Sequence, residues 1–158
     1  MSATEPATKA PPPRTARQTW MAVLARASSA ELDAILQRAG GPPPHSIMKP
    51  AETGTLMLEG RAGGTGRRFN AGEATITRCV VRLDKGTLGY AYVLGTDRRK
   101  ALAAALLDGL LQCPETGPEL ERIAIAPLAA AQRATRDIAS RKAAATKVDF
   151  FTLVRGSE

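Results

Sequence analysis

Arg61-Ala62-Gly63-Gly64-Thr65-Gly66-Arg67-Arg68-Phe69-Asn70-Ala71-Gly72 decides how this chain is read, because it separates two segments that alternate like β-strands. Three glycines within four positions mark a tight, exposed turn rather than a strand interior, since glycine tolerates positive φ and close backbone approach. Successive N–H groups in such a turn can form an anion-binding concavity, to which Arg61, Arg67 and Arg68 add charged forks matched to phosphate or carboxylate oxygens. The plainer alternative is a long hairpin loop with solvated arginines. The glycine spacing, with no Lys-Ser or Lys-Thr pair behind it, is not that of a P-loop. Nor is it a dinucleotide fingerprint, because a strand follows where that motif opens a helix.

Outward from the loop, the pattern is that of a sheet. On the N-terminal side, Thr55 to Arg61 alternates Leu56 and Leu58 against Thr55, Met57 and Glu59, predicting a strand with one buried face, entered through a turn at Ala51-Glu52-Thr53-Gly54. On the C-terminal side, Ala74 to Leu83 places Thr75, Thr77, Cys79, Val81 and Leu83 on one face and Arg78 and Arg82 on the other. Asp84-Lys85-Gly86 closes a hairpin into Thr87 to Leu94, where Leu88, Tyr90, Tyr92 and Leu94 form the larger face and are expected in the core. The result is an antiparallel meander.

Helical signals flank it. Trp20, Val23, Leu24 and Ala27 fall at helical spacing, Ser28-Ser29-Ala30-Glu31 reads as a capping box, and Leu32, Ile35, Leu36 and Ala39 form the face of a second helix that Gly40-Gly41 ends. These two helices predict an N-terminal hairpin. Thr96 or Asp97 caps a Leu- and Ala-rich helix to about Gln112, expected to lie across the sheet. Leu120 to Ile125 reads as a further short strand, and Pro127 opens a basic helix from about Leu128 to Thr146. Val148-Asp149-Phe150-Phe151-Thr152-Leu153-Val154-Arg155 is strand-like and apolar, and is expected to dock on a sheet or a partner. The fold class is α+β, with helices packed on the sheet. Residues 1–13, rich in Pro and Ala, form a disordered tail, and 14–158 a single domain.

The composition is globular, 44% hydrophobic and 23% charged, but only 4% aromatic, so the core must be aliphatic. A net charge of +7 favours anionic partners. Cys79 and Cys113 read as buried thiols, and no Cys or His spacing suggests a metal. His45, the single histidine, reads as a surface residue, and the scattered carboxylates as caps and solvated faces. No catalytic constellation can be assembled. The expected location is cytoplasmic, with no membrane span.

Several blocks carry a family resemblance. Gly63-Gly64-Thr65-Gly66-Arg67-Arg68-Phe69 through Gly72-Glu73-Ala74-Thr75-Ile76-Thr77-Arg78 closely resembles PhnG, a subunit family of the bacterial carbon–phosphorus lyase core complex. So do Arg17-Gln18 with Trp20-Met21, Val81-Arg82-Leu83 with Gly86-Thr87-Leu88-Gly89-Tyr90, Ile125-Ala126-Pro127-Leu128 and Val148 to Gly156.

The resemblance implies an accessory role in phosphonate catabolism beside PhnH, PhnI and PhnL. Together these displace adenine from ATP with a phosphonate to give ribose 1-phosphonate 5-triphosphate. PhnJ and the ABC-type protein PhnK belong to the same machinery. It implies no cofactor on this chain, ATP as a substrate of the assembly, and chemistry on PhnI. The residues expected to meet an anion, substrate or partner are Gly63, Gly64, Thr65, Gly66, Arg67, Arg68 and Arg78. Val148, Asp149, Phe150, Phe151, Thr152 and Arg155 are expected at a subunit interface. The alternative from a different class is a small basic RNA-binding module, against which the core placement of Tyr90 and Tyr92 weighs.

Overall fold

The computed structural model describes residues 15–61 and 66–146. The head assigned to 1–13, Gly63, Gly64 and Thr65 of the loop, and the segment Val148 to Arg155 lie outside them.

The architecture is α+β. Helix α1, Ala16–Arg26, begins at a Thr15–Gln18 capping box, and α2, Ser29–Arg38, at the Ser28–Glu31 box. Gly40 and Gly41 follow with φ of 98° and 90°, where a side chain would be strained, and end the helical run. Strands β1 (His45–Arg61), β2 (Arg68–Leu83) and β3 (Leu88–Leu94) form an antiparallel sheet in the order β1-β2-β3. Helix α3, Arg98–Leu111, is capped by Asp97, whose side chain accepts from Lys100 N at 2.8 Å, and lies across β2 and β3. Leu24, Leu32, Leu107, Val81 and Val93 are the large apolar side chains at the centre of the core.

In the helix–sheet body three expectations change. The turn expected at Ala51–Gly54 does not form, because β1 runs unbroken from His45. Its edge position tolerates Pro50, which has no N–H to give, and the register shifts around Lys49 absorb the misfit. The second change concerns Leu120–Ile125, which is helical. Helix α4, Gly117–Leu120, passes through a π-helical turn at Glu121–Ile125 into α5, Ala126–Ala145. Pro127 explains the turn: it cannot donate to the Ile123 carbonyl, so the ladder slips to Ala126 N on Glu121 O, and Arg38 Nη2 approaches the freed carbonyl at 3.5 Å.

The third change is the face of β3. Leu88, Tyr92 and Leu94 are exposed, while Gly89, Ala91 and Val93 are buried against α3. A Cβ on Gly89 would stand 2.0 Å from the Ala105 carbonyl oxygen, so the alanine-rich face of α3 sits directly on the backbone of β3. The small face admits that approach and the large one would prevent it.

Candidate functional site

Strand β3 pairs only with Ile76–Arg82 of β2, so Thr55–Arg61 of β1 and Arg68–Thr75 of β2 continue as a two-stranded ribbon beyond it. Seven residues of strand carry it about 23 Å. The expectation that Leu56 and Leu58 face a core does not hold. Leu56, Met57 and Leu58 are 51%, 50% and 44% exposed, and Phe69 is 51% exposed with its ring over Gly60, 3.3 Å from where a Cβ would stand. An uncovered two-stranded ribbon is marginal in water, so four large apolar side chains along it mark a surface meant to be covered.

Arginines stand at its tip. Arg61 and Arg68 are cross-strand partners, Arg68 pairs with Glu59 at 3.4 Å, and Arg67 is exposed, with Gly66 in a bend just ahead of the returning strand. Arg78 is not with them. It lies ten residues up β2, about 33 Å along the strand, where its Nε donates to Glu52 Oε1 at 2.7 Å beside Lys49 Nζ at 3.0 Å. These two cations, Lys49 first, hold the Glu52 carboxyl below its ordinary pKa.

The sheet face opposite α3 is open. It combines Tyr92 and Leu94 of β3, 55% and 69% exposed, with Arg78 directly opposite Tyr92. Tyr90 is half-buried beneath the Arg17 guanidinium, 5.3 Å from the ring centre.

A second cluster escaped the sequence reading. Asp108 of α3 is fully buried and gathers α1, β3 and its own helix. Its Oδ2 accepts from Arg17 Nη2 at 2.7 Å and from the Tyr90 backbone N–H at 2.9 Å, and its Oδ1 from Trp20 Nε1 at 2.9 Å and Arg17 Nε at 3.2 Å. Gln112 Nε2 adds bonds to Oδ2 at 3.2 Å and to the Leu88 carbonyl at 2.8 Å. The hydrogen bond to Asp108 raises the pKa of Arg17. A lone aspartate among leucines was the available signal. The Arg17–Trp20 and Leu88–Tyr90 blocks of the family resemblance meet at this carboxylate.

Among the described residues, every buried side-chain polar atom has a hydrogen-bond partner. Thr77, fully buried, donates to the Gly95 carbonyl at 2.7 Å and meets Thr53 Oγ1 at 3.1 Å. Burial pushes the Cys79 thiol up, away from the reactive thiolate. His45 Nδ1 lies 2.7 Å from the Pro43 carbonyl oxygen. Among the described residues, no three His, Cys, Asp or Glu side chains come together as a metal-binding group, and no helix is long and apolar enough to cross a membrane.

Fold and surfaces together define an α+β protein equipped for association: a tightly tied helix–sheet body with an apolar ribbon and a sheet face turned outward. The family model described as phosphonate metabolism protein PhnG matches residues 15–156. The alpha-D-ribose 1-methylphosphonate 5-triphosphate synthase subunit PhnG of Rhizobium meliloti (strain 1021) is 40% identical over 145 residues, which cover 90% of each chain. The chain belongs to the PhnG family.

Proposed function

We propose that this chain is the PhnG accessory subunit of a ribose 1-phosphonate 5-triphosphate synthase. It would act with PhnH, PhnI and PhnL in the displacement of adenine from ATP by a phosphonate, within an assembly that also engages PhnJ and PhnK. In this reading the chain holds no cofactor, ATP is a substrate of the assembly, and the ribbon is the part that engages a neighbour. The observation that carries it is the relative named as a synthase subunit, 40% identical over nine-tenths of both chains. The half-exposed Leu56, Met57, Leu58 and Phe69 support association in particular.

Gly63, Gly64, Thr65, Gly66, Arg67 and Arg68 are assigned to the ribbon tip that meets an acidic face of the neighbouring subunit or a phosphate-bearing substrate. Val148–Arg155 is assigned to a second contact, through Phe150 and Phe151. The test is co-expression with the neighbouring subunits, followed by adenine release from ATP and methylphosphonate with and without this chain. Recovery of a stoichiometric complex whose adenine release requires this chain supports the assignment. Recovery of this chain alone opposes it. The double variant Arg67→Ala, Arg68→Ala should weaken assembly or turnover, and wild-type behaviour in both removes the tip from the reading. Deleting 148–155 should release the chain from PhnI.

Exposure of Tyr92 opposite Arg78 favours one second reading, because it removes the argument that Tyr92 is a core residue. An aromatic and basic sheet face is the kind of platform on which single-stranded RNA bases stack. Binding to a labelled single-stranded RNA that weakens linearly with salt on logarithmic axes supports it, and absence of binding at low salt removes it.

A further inference from the structure

The outer edge of β3 is half closed and half open. The Leu83 N–Thr87 O bond at 2.9 Å and the Gly95 N–Thr75 O bond at 2.9 Å bracket the β2–β3 ladder. By antiparallel alternation they fix the backbone groups of Leu88, Tyr90, Tyr92 and Leu94 as pointing away from β2. Side chains take the first of these: the Leu88 carbonyl accepts from Arg17 and Gln112, and the Tyr90 N–H donates to Asp108. Beyond that point the Tyr90 carbonyl, both backbone groups of Tyr92 and the Leu94 N–H have no hydrogen-bond partner among the described residues. Beside this open edge runs an apolar groove between β3 and α1. One cavity of about 220 Å³ is lined by Met21, Ala22 and Ala25 and reaches down to Ala104. A second of about 280 Å³ continues past Leu94 toward Leu56.

We propose that this edge receives an extended segment of another subunit, which adds to the sheet as a fourth strand beside β3; the inference rests on the reading of this chain as a subunit of an assembly. Backbone groups at the edge supply the hydrogen bonds, and the groove takes alternate side chains. Small groove residues, Ala22, Ala25 and Ala104, leave room for large apolar ones on the incoming segment. Charge selects its source. Arg26 flanks the groove and Arg17 the closed end of the edge, on a chain of net charge +7. A second copy would bring the same excess of positive charge. The chain's own terminal segment, from Lys147 to Glu158, sets Lys147 and Arg155 against Asp149 and Glu158 and so brings no net negative side-chain charge. An apolar segment with acidic flanks, from a different polypeptide, is the complementary occupant.

Amide hydrogen exchange, resolved to Tyr92 and Leu94, tests this on the full chain, free and in the purified assembly. Both amides should exchange rapidly in the free chain and at least tenfold more slowly in the assembly. Equal exchange in the two states overturns the proposal. Protection in the free chain that disappears on dilution makes a second copy the occupant, and protection in the free chain that persists on dilution but is abolished by Phe150→Asp with Phe151→Asp makes it the chain's own terminal segment; either result overturns it. Failure to assemble at all refutes the subunit reading itself, a distinct outcome. Tyr92→Pro gives an independent check, because it removes an outward N–H and spares the bonds to β2. With the thermal transition retained, it should abolish the protection of Leu94 and weaken capture by the neighbouring subunits. Retained capture and protection would overturn the added strand.

Discussion

Asp108 shows what one buried charge does in this protein. Its carboxylate accepts from a guanidinium, an indole and a backbone N–H drawn from two other elements, so removing the charge leaves three donors short of a full acceptor. Breaking a buried pair from one side costs about 3–5 kcal/mol, and Arg17, partly open to water, lowers that toward the bottom of the range. Asp108→Asn should therefore destabilise the chain by about 3 kcal/mol in urea unfolding. A loss under about 1 kcal/mol would show that the cluster is dispensable. Nothing local in the sequence revealed the role. An aspartate at the centre of Leu-Leu-Asp-Gly-Leu-Leu has no periodic signature, and its partners on other elements are 18 to 91 residues away.

At the scale of elements, the capping box of α2 was legible because its residues are adjacent. The backbone N–H and hydroxyl of Ser28 hold the Glu31 carboxyl below its ordinary pKa. Since the folded pKa is the lower one, the stabilisation is complete above the usual carboxylate value and is lost as pH falls through the folded value. The difference in urea midpoint between wild type and Glu31→Gln should shrink between about pH 5 and pH 3, and a pH-independent difference would contradict the assignment. The ribbon is the opposite case. Alternation in Thr55–Arg61 implied a buried face, but Leu56, Met57 and Leu58 stay about half exposed, with α1 nearing the ribbon across the cavity at Leu56. Leu56→Asp with Leu58→Asp should shift the stability of the isolated chain by less than about 0.5 kcal/mol per site while abolishing recovery with the neighbouring subunits. A large loss of stability in the isolated chain would mean that the ribbon is part of the core after all.

The whole molecule rests on the spacing of two layers. Helix α3 approaches the sheet until Gly89 and Ala105 touch backbone to backbone, and Gly109 accepts Leu83 at the same junction. Gly89→Ala places a methyl group where a carbonyl oxygen already stands, so the layers must separate. We expect a loss of about 3 kcal/mol, read as a lowered thermal midpoint. A neutral substitution would show that the layers can slide. Helix α5 is secondary to this body, with no buried residue and with Gln132 donating to the Val23 carbonyl at 3.0 Å.

By itself the sequence determined the elements whose signals are local: the helix faces of α1 and α2, the cap of α3, and the buried row Thr77, Cys79, Val81 and Leu83 of β2. Its blocks also carried the family. The tertiary structure decided the rest. Alternation gives a strand two faces without saying which one a helix will cover, and in β3 the small face wins because only it lets α3 come close. The strand-like spacing of Leu120–Ile125 is equally silent about the π-helical turn that the chain forms there ahead of Pro127. The convergence on Asp108, the bare ribbon and the half-open edge of β3 follow from where the layers end, which depends on contacts between residues far apart in the chain.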